Sequence, residues 1–433
     1  MVLQRKEIPI KLLLIYIMLQ PFLDVVTGIT LQFSDSQLTV SLFVRLLFFV
    51  AGGFYLLFTK ENPYRRKYFF YLAVFCLFFI VRLSLNSYLK PQFHLLAEIK
   101  FILKTMYFIL ILLLVWFLFK VNERSAIHKT LQIFVFSITI YSFLIVLAGL
   151  TGTAFQSYEF EKVGQVGWFH AGNEIGAILS VGAPIVLLFA LKKSPWYWIS
   201  VLLTLYSLFL LGTKVGLGAI MLTLFVGLLT MLWEYLRKMK GSLSKIGILL
   251  ALLICSIIYT PFSPVAKNIN IHLINLETKH EKEDATQKQE EHTEQLQQLL
   301  LSGRHQYLNN HLQSFTRAPL LQKLVGMGYG GNYQTEAKMI EMDPFDLFFS
   351  FGILGTILFL LPIIYFVSIM IYCMLRRISI LSEAEYIFLF CSFTIGMGIS
   401  FIAGHVLTAP SVSLYMAILL AMIAVKIEND VWI

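Results

Sequence analysis

Twelve apolar runs, bounded by charges, proline or glycine, dominate this chain of 433 residues. They lie near residues 9–31, 38–59, 68–89, 95–119, 130–149, 171–191, 196–212, 215–236, 245–262, 345–373, 384–404 and 408–425. Roughly 20 consecutive apolar residues cross a bilayer as a helix, so the pattern predicts an all-α polytopic membrane protein with about 12 transmembrane helices. Composition excludes a soluble fold, because 58% of the residues are apolar and only 14% are charged. Ordinary soluble domains carry roughly 45–50% and about 25%, and so little polar surface cannot cover a core of this size. Arg5 and Lys6 precede the first run as in a signal peptide. That run continues through Pro21 and Asp24 without a small-residue cleavage site, so a retained first helix is expected. Cys76, Cys255, Cys373 and Cys391 lie in or beside apolar runs with no C-x-x-C pair, which implies neither a disulfide framework nor a metal site.

Basic residues orient the runs. Of 34 Lys and Arg, 19 fall on one side: Arg5, Lys6, Lys11, the loops near 60–67, 120–129, 192–193, 237–245 and 374–383, and Lys426. The short loops of the opposite side hold only Lys90, Lys162 and Lys214. Four more (Arg45, Arg82, Lys100, Lys104) fall within runs, and eight lie in residues 263–344, a segment too long to obey the rule. Cytoplasmic loops carry the basic excess, so both termini are expected in the cytoplasm and residues 263–344 outside. The net charge of +9 is then a property of cytoplasmic loops and calls for no nucleic-acid partner. Three regions follow: helices one to nine over 1–262, a large extracytoplasmic loop over 263–344, and the last three helices with a cytoplasmic tail over 345–433.

The outer loop has two halves. Glu277 to Gln295 lacks any large apolar residue and reads as a solvated excursion, and its His280 and His292 do not have metal-ligand spacing. SGRHQYLNNHLQSFTRAP reads as a helix from near Ser302 to before Pro319, with Arg304, Leu308, Leu312 and Phe315 on one face. Arg304 thereby shares the stripe that should pack on the membrane domain. Gly326, Gly328 and Gly331 satisfy G-x-G-x-x-G, but no βαβ unit surrounds them and a tight turn is the reading. Glu341, Asp343 and Asp346 then cluster around the entry to the tenth helix.

Ionisable groups within spans mark functional sites by default. Lys214 sits where helices seven and eight meet almost without a loop, which holds its ammonium at the outer boundary. Glu98 is placed to pair with Arg82 or Lys100, and Arg45 to snorkel or pair structurally. His170 and Asn173 open helix six and His405 follows helix eleven, all on the outer side. A lone histidine there is more often a cap or packing residue, so these three are pocket candidates. Lys214 and Arg304, with Arg317 as a third cation, suit the diphosphate of a polyprenyl carrier, because cations neutralise phosphoryl oxygens and stabilise a departing one. A nearby carboxylate suits removal of a proton from an attacking sugar hydroxyl.

GWFHAGNEIGA (167–177), LLGTKVGLGA (210–219), SGRHQYLNNHLQSFTRAPLLQKLVGMGYG (302–330), EMDPFDLFFSFGILG (341–355) and GHVLTAPSVS (404–413) together resemble the O-antigen ligase/polymerase family of bacterial integral-membrane glycosyltransferases. The resemblance implies about a dozen helices with a large outer loop. It also implies an undecaprenyl-diphosphate-linked glycan donor, a sugar, lipid, protein or glycan acceptor, inversion at the anomeric carbon, and no cofactor or metal. Arg304 matches the arginine of the loop's GR motif, which contacts the donor diphosphate. Lys214 takes the place of the arginine in an SRG-like turn, keeping the charge but losing the bidentate fork. Ligases of the family carry a His-Asn pair before the next helix, the histidine being the proposed base. Here the stretch reads Glu341-Met342-Asp343-Pro344, so an acid among Glu341, Asp343 and Asp346 is expected in that role. Related cell-wall polymerases use an acidic residue in this way, which favours polymerase over ligase. The competing class is a transporter or flippase of lipid-linked saccharides, although no repeat relates the two halves.

Topology is open to direct measurement. Cysteine labelling or reporter fusions are expected to find residues 270–340 outside and residues 60–67, 237–245 and 374–383 inside the cell. A cytoplasmic 270–340 would turn every site residue toward the wrong compartment.

Overall fold

The computed structural model describes residues 2–34, 39–157, 162–237, 242–271, 304–334 and 336–431. The acidic stretch Glu277–Gln295 lies outside them. Eight helices precede it: Val2–Phe33 (α1), Val40–Phe58 (α2), Arg65–Leu89 (α3), Leu95–Leu150 (α4), Gly172–Lys192 (α5), Tyr197–Leu211 (α6), Lys214–Leu236 (α7) and Leu243–Tyr259 (α8). Residues 264–271 (α9) are helical. Arg304–Arg317 (α10), Leu320–Val325 (α11), Asp343–Arg376 (α12), Ala384–Ile402 (α13) and Pro410–Val431 (α14) complete the order. Phe155–Gln156 (β1) and Gln165–Gly167 (β2) form one short antiparallel hairpin. The chain is an all-α polytopic membrane protein.

All twelve apolar runs are helical, and among the described residues eleven helical segments are long and apolar enough to cross a membrane. The exception is α6, whose 15 residues reach only about 22 Å at 1.5 Å per residue. Its end is set by Gly212, whose φ of 71° turns the chain straight into α7.

Helical geometry persists through 120–129, where a loop was expected, and α4 carries two spans, Leu95–Asn122 and Ser125–Leu150. In a straight helix, Tyr107 and Ser137 would stand about 45 Å apart. Instead the Tyr107 hydroxyl meets that of Tyr16 at 2.6 Å, while the Ser137 hydroxyl donates to the Ile17 carbonyl at 3.3 Å. Both arms therefore lie beside the middle of α1, and the chain folds back sharply between them. This keeps the alternation of the runs.

The centre of the bundle is α5, α14 and the first arm of α4, which are buried on all sides, as expected of helices without a polar face. α2 and α8 lie outside, with Phe43, Phe54, Ile254 and Ile257 exposed where a bilayer supplies apolar surroundings. Gly182 lets the Ile138 side chain press onto the α5 backbone; a Cβ there would lie 2.6 Å from it. Such small residues at helix contacts give close packing in lipid. Buried charges are paired. Arg45 binds Asp24 and Gln20, and Asp24 also accepts from Tyr141, which joins α1, α2 and α4. Arg45 is thus a structural partner and does not snorkel.

At the end of the bundle that carries residues 304–342, a second buried carboxylate organises the glycine-rich turn. Glu98 binds Arg82 at 2.6 Å and Lys90 at 2.7 Å, and accepts the Tyr329 backbone N–H at 3.0 Å. Arg82 is one of the two expected partners and Lys90 is an added one; residues two apart on a helix, as Glu98 and Lys100 are, point to different sides. The turn itself packs on a break in α12. Gly352 has φ 64°, and a Cβ on it would lie 2.4 Å from the Gly326 nitrogen. Met327 and Gly328 then donate their N–H groups to the Phe349 and Ser350 carbonyls at 2.9 and 3.2 Å. The loop thereby satisfies backbone acceptors that the break in the helix frees. This is a turn against a helix, as the absence of a βαβ unit indicated.

Removing one member of a buried ion pair leaves the others uncompensated, at about 3–5 kcal/mol. Glu98→Gln is therefore expected to lower the melting temperature of the detergent-solubilised protein markedly. An unchanged melting curve would mean that Glu98 does not neutralise Arg82 and Lys90.

Candidate functional site

α10 packs as its spacing predicted, with one correction. Tyr307, Leu308 and Phe315 lie against Ala318, Met327, Ile340, Met342 and Phe349, whereas Leu312 is exposed. The partly buried stripe therefore runs through 304, 307, 308, 311 and 315, and His311 takes the place expected of Leu312, its ring 6.0 Å from that of Phe349. Arg304 stays on this stripe with its side chain only 14% exposed. Its Nη2 donates to Glu341 Oε2 at 2.9 Å, while its buried Nε has no partner among the described residues. Arg317 closes the same helix and is exposed, about 20 Å further along the axis; the structure does not bring it to Arg304.

The three carboxylates have different surroundings. Asp343 is completely buried. Its Oδ1 accepts from His405 N and Thr408 Oγ1, and its Oδ2 from Ser400 Oγ, Val406 N and Leu407 N, all at 2.7–3.0 Å. Asp346 reaches back to the backbone N–H groups of Ile340 and Met342 at 2.8 and 3.0 Å, capping the start of α12 where negative charge also suits the helix dipole. Glu341 alone turns its carboxylate toward other charged side chains. His405 Nε2 stands 3.9 Å from Glu341 Oε2, beyond direct hydrogen-bond reach but close enough for a charge interaction.

Glu341 and His405 are also the two non-glycine residues with positive φ among those described, at 63° and 59°. Each such conformation costs of order 1–3 kcal/mol and persists only where the surroundings impose it. Here the imposing group is Asp343, which fixes residues 405–408 against residues 341–343. Gly404 completes the fit, since a Cβ there would lie 2.6 Å from the Glu341 carbonyl oxygen. The electrostatics follow. The His405 imidazole, opposed by burial and reinforced by the Arg304 guanidinium, holds Glu341 down to about 2. Burial works to deprotonate His405, but Glu341, Glu174 and Asp343 outweigh it and hold its pKa above the ordinary value.

Lys214 begins α7, with Thr213 Oγ1 accepting the Gly216 N–H at 3.1 Å. A cation at a helix N-terminus opposes the dipole, so the positive fields of Lys214 and of the helix end add. The charges of Arg304 and of Lys162 both act on Lys214. Lys162 is one of three basic residues in the short loops of its side. It is placed by Asn268 of α9, whose side chain brackets Val163 N and O at 2.7 Å each and donates to the Gly212 carbonyl at 2.9 Å. Gly212 permits this contact, because a Cβ there would lie 2.5 Å from the Val163 oxygen. His170 and Asn173 are exposed at the start of α5. It is the next residue, Glu174, whose charge reaches His405 and which accepts from Ser411 Oγ.

Asp343→Asn would turn an amide donor toward at least two of the five donors now satisfied. Leaving them unpaired should cost about 2–5 kcal/mol, read as a lower melting temperature in detergent. A variant as stable as the parent would show that the clasp does not hold the two loops.

No curated protein matches the chain. A family model described as O-antigen ligase like membrane protein matches residues 6–430. With that coverage, from the first helix to the last and through the Arg304–Glu341–His405 cluster, the chain belongs to the O-antigen ligase like family of membrane proteins.

Proposed function

We propose that this protein transfers or polymerises undecaprenyl-diphosphate-linked glycan units on the outer face of the bacterial cytoplasmic membrane. The family supports a membrane glycosyltransferase-like role. The observation that carries the finer reading is Arg304, bound to an ionised Glu341 at 2.9 Å, with Lys214 within reach of the charges of Arg304 and Lys162, at one end of a membrane-spanning bundle. A lipid carrier presents its phosphates at that depth. Arg304 and Lys214 hold the diphosphate and take up the charge that grows on its sugar-bearing phosphate oxygen as that oxygen parts from the anomeric carbon. The acceptor hydroxyl approaches from the Glu341–His405 side and delivers its proton to that pair. Asp343 and Asp346, with their oxygens engaged by backbone and hydroxyl donors, position the loops. Glutamate in place of the ligase histidine favours a polysaccharide polymerase. A deletion strain distinguishes the two: single repeat units on the carrier indicate a polymerase, and unattached long polymer a ligase.

The cations are testable in a deletion strain carrying variants. Arg304→Ala and Lys214→Ala should each reduce glycan transfer by about 10²–10³-fold. The double variant should fall far short of the product of the two losses, because residues that act as one unit are non-additive. Lys214→Arg should retain activity, since it keeps the charge and adds donors. Well-expressed single variants with near-normal transfer would remove both residues from the site.

A further inference from the structure

We propose that His405 is the catalytic base, taking the acceptor hydroxyl's proton, and that Glu341 is the positioning carboxylate that orients the imidazole and shelters its charge. This rests on the glycosyl-transfer reading above and deepens it. Histidine is missing from the loop before α12, where Glu341 stands. The fold supplies one from the loop between α13 and α14, directly opposite that glutamate, at 3.9 Å between Oε2 and Nε2.

The geometry comes first. Both residues are held in left-handed backbone conformations, and non-glycine residues of that kind cluster at functional sites where packing over-determines them. Asp343 supplies the packing: it binds the His405 N–H and the three residues that follow. The imidazole is a third exposed and the Glu341 side chain 44% exposed, so substrate can reach the pair. The charged groups facing the imidazole are Glu341 from the loop before α12, Asp343 and Asp346 from α12, and Glu174 from α5. Arg304 of α10 reaches it only through Glu341.

Chemistry then separates the two. Glu341 is held near 2, so it stays ionised and accepts a proton from a sugar hydroxyl only poorly. An imidazole is the commonest general base, and the Glu341 carboxylate 3.9 Å away favours the imidazolium that forms when His405 takes the proton. With Nε2 turned to the carboxylate, Nδ1 is the nitrogen that accepts. In the step, the acceptor oxygen forms its bond to the anomeric carbon as the bond from that carbon to the diphosphate oxygen breaks. The bonding pair leaves with the diphosphate, and the hydroxyl proton passes to His405. The imidazolium rests beside Glu341 until it returns the proton to water.

The test uses full-length protein in nanodiscs, a lipid extract of the deletion strain as donor and acceptor source, and undecaprenyl diphosphate as binding probe. His405→Gln should lose about 10²–10⁴-fold in turnover while binding undecaprenyl diphosphate as the parent does. His405→Gly fits the left-handed backbone without strain, so it should fold, be inactive, and regain turnover when imidazole is added. Activity should rise with pH as His405 loses its proton. Glu341→Gln removes one of the carboxylates that favour imidazolium, so it should shift that acid limb to lower pH, Glu174 and Asp343 keeping part of the effect. His405→Gln turning over like the parent, or His405→Gly that binds the probe yet does not respond to imidazole, would overturn the assignment. A parent protein that neither binds undecaprenyl diphosphate nor consumes the extract would overturn the glycosyl-transfer reading itself.

Discussion

A single buried carboxylate holds the site together. Asp343 has no exposed surface and meets five donors from α13 and the loop that follows it. Hydrogen bonds to a charged acceptor are stronger than neutral ones, and a buried carboxylate is tolerable only when its lone pairs are filled. Asp343 fulfils both conditions by drawing a whole loop around itself. The backbone cost is borne at Glu341 and His405, each forced into left-handed geometry. Strain and clasp are therefore one device: what satisfies Asp343 is what presents Glu341 to His405.

Glu98 plays the corresponding part at the other end of the same segment. It neutralises Arg82 and Lys90 and holds the Tyr329 N–H, so the glycine-rich turn is fixed to α3 and α4. Asn86 adds a bond to the Gly326 carbonyl at 3.0 Å. Between these anchors runs the chain from Gly326 to Asp343, with α10 lying on the cluster formed by Met327, Ile340, Met342 and Phe349. Arg304 is thus positioned by apolar packing from below, and by Glu341 from the side. α3, largely exposed along its outer side, turns Arg82 and Asn86 inward to serve as part of that anchor.

The fold was legible because membrane spans are written in composition and the basic residues alternate. What escaped was whatever depends on contacts between distant segments. The stripe through Arg304, Leu308 and Phe315 follows from a 3.6-residue period, yet the period could not tell Leu312 from His311, which differ by one position around the helix. Glu98 pairs with Arg82, one of the two partners its position suggests, and is joined by Lys90, which reads as a loop charge in the sequence yet is almost wholly buried. The break at Gly352 has no local signature, since the Gly326 turn that packs on it lies far back in the chain. The Glu341–His405 pair was unreadable for the same reason: a positive φ at a glutamate or histidine is imposed by Asp343 and not encoded by either residue. Lys162 and Asn268 carried a faint signal, in that Lys162 is one of three basic residues in the short loops of its side.

The two cations of the proposed site are held in different ways. A guanidinium offers five donors in a fixed fork, and Arg304 commits Nη2 to Glu341 while its buried Nε has no partner among the described residues. It can thus remain tied to the carboxylate and still present donors to a phosphoryl oxygen, a double duty no ammonium could perform with the same geometry. Lys214 is held differently. Its place is fixed by the Gly212–Thr213 turn and by the helix that starts with it, and Asn268 brings Lys162 alongside. There a compact point charge is sufficient, because the helix N-terminus and the neighbouring cation supply the rest of the field. On the proposed reading, orientation resides in Arg304 and charge in the Lys214 corner, so only the second position tolerates the loss of a fork.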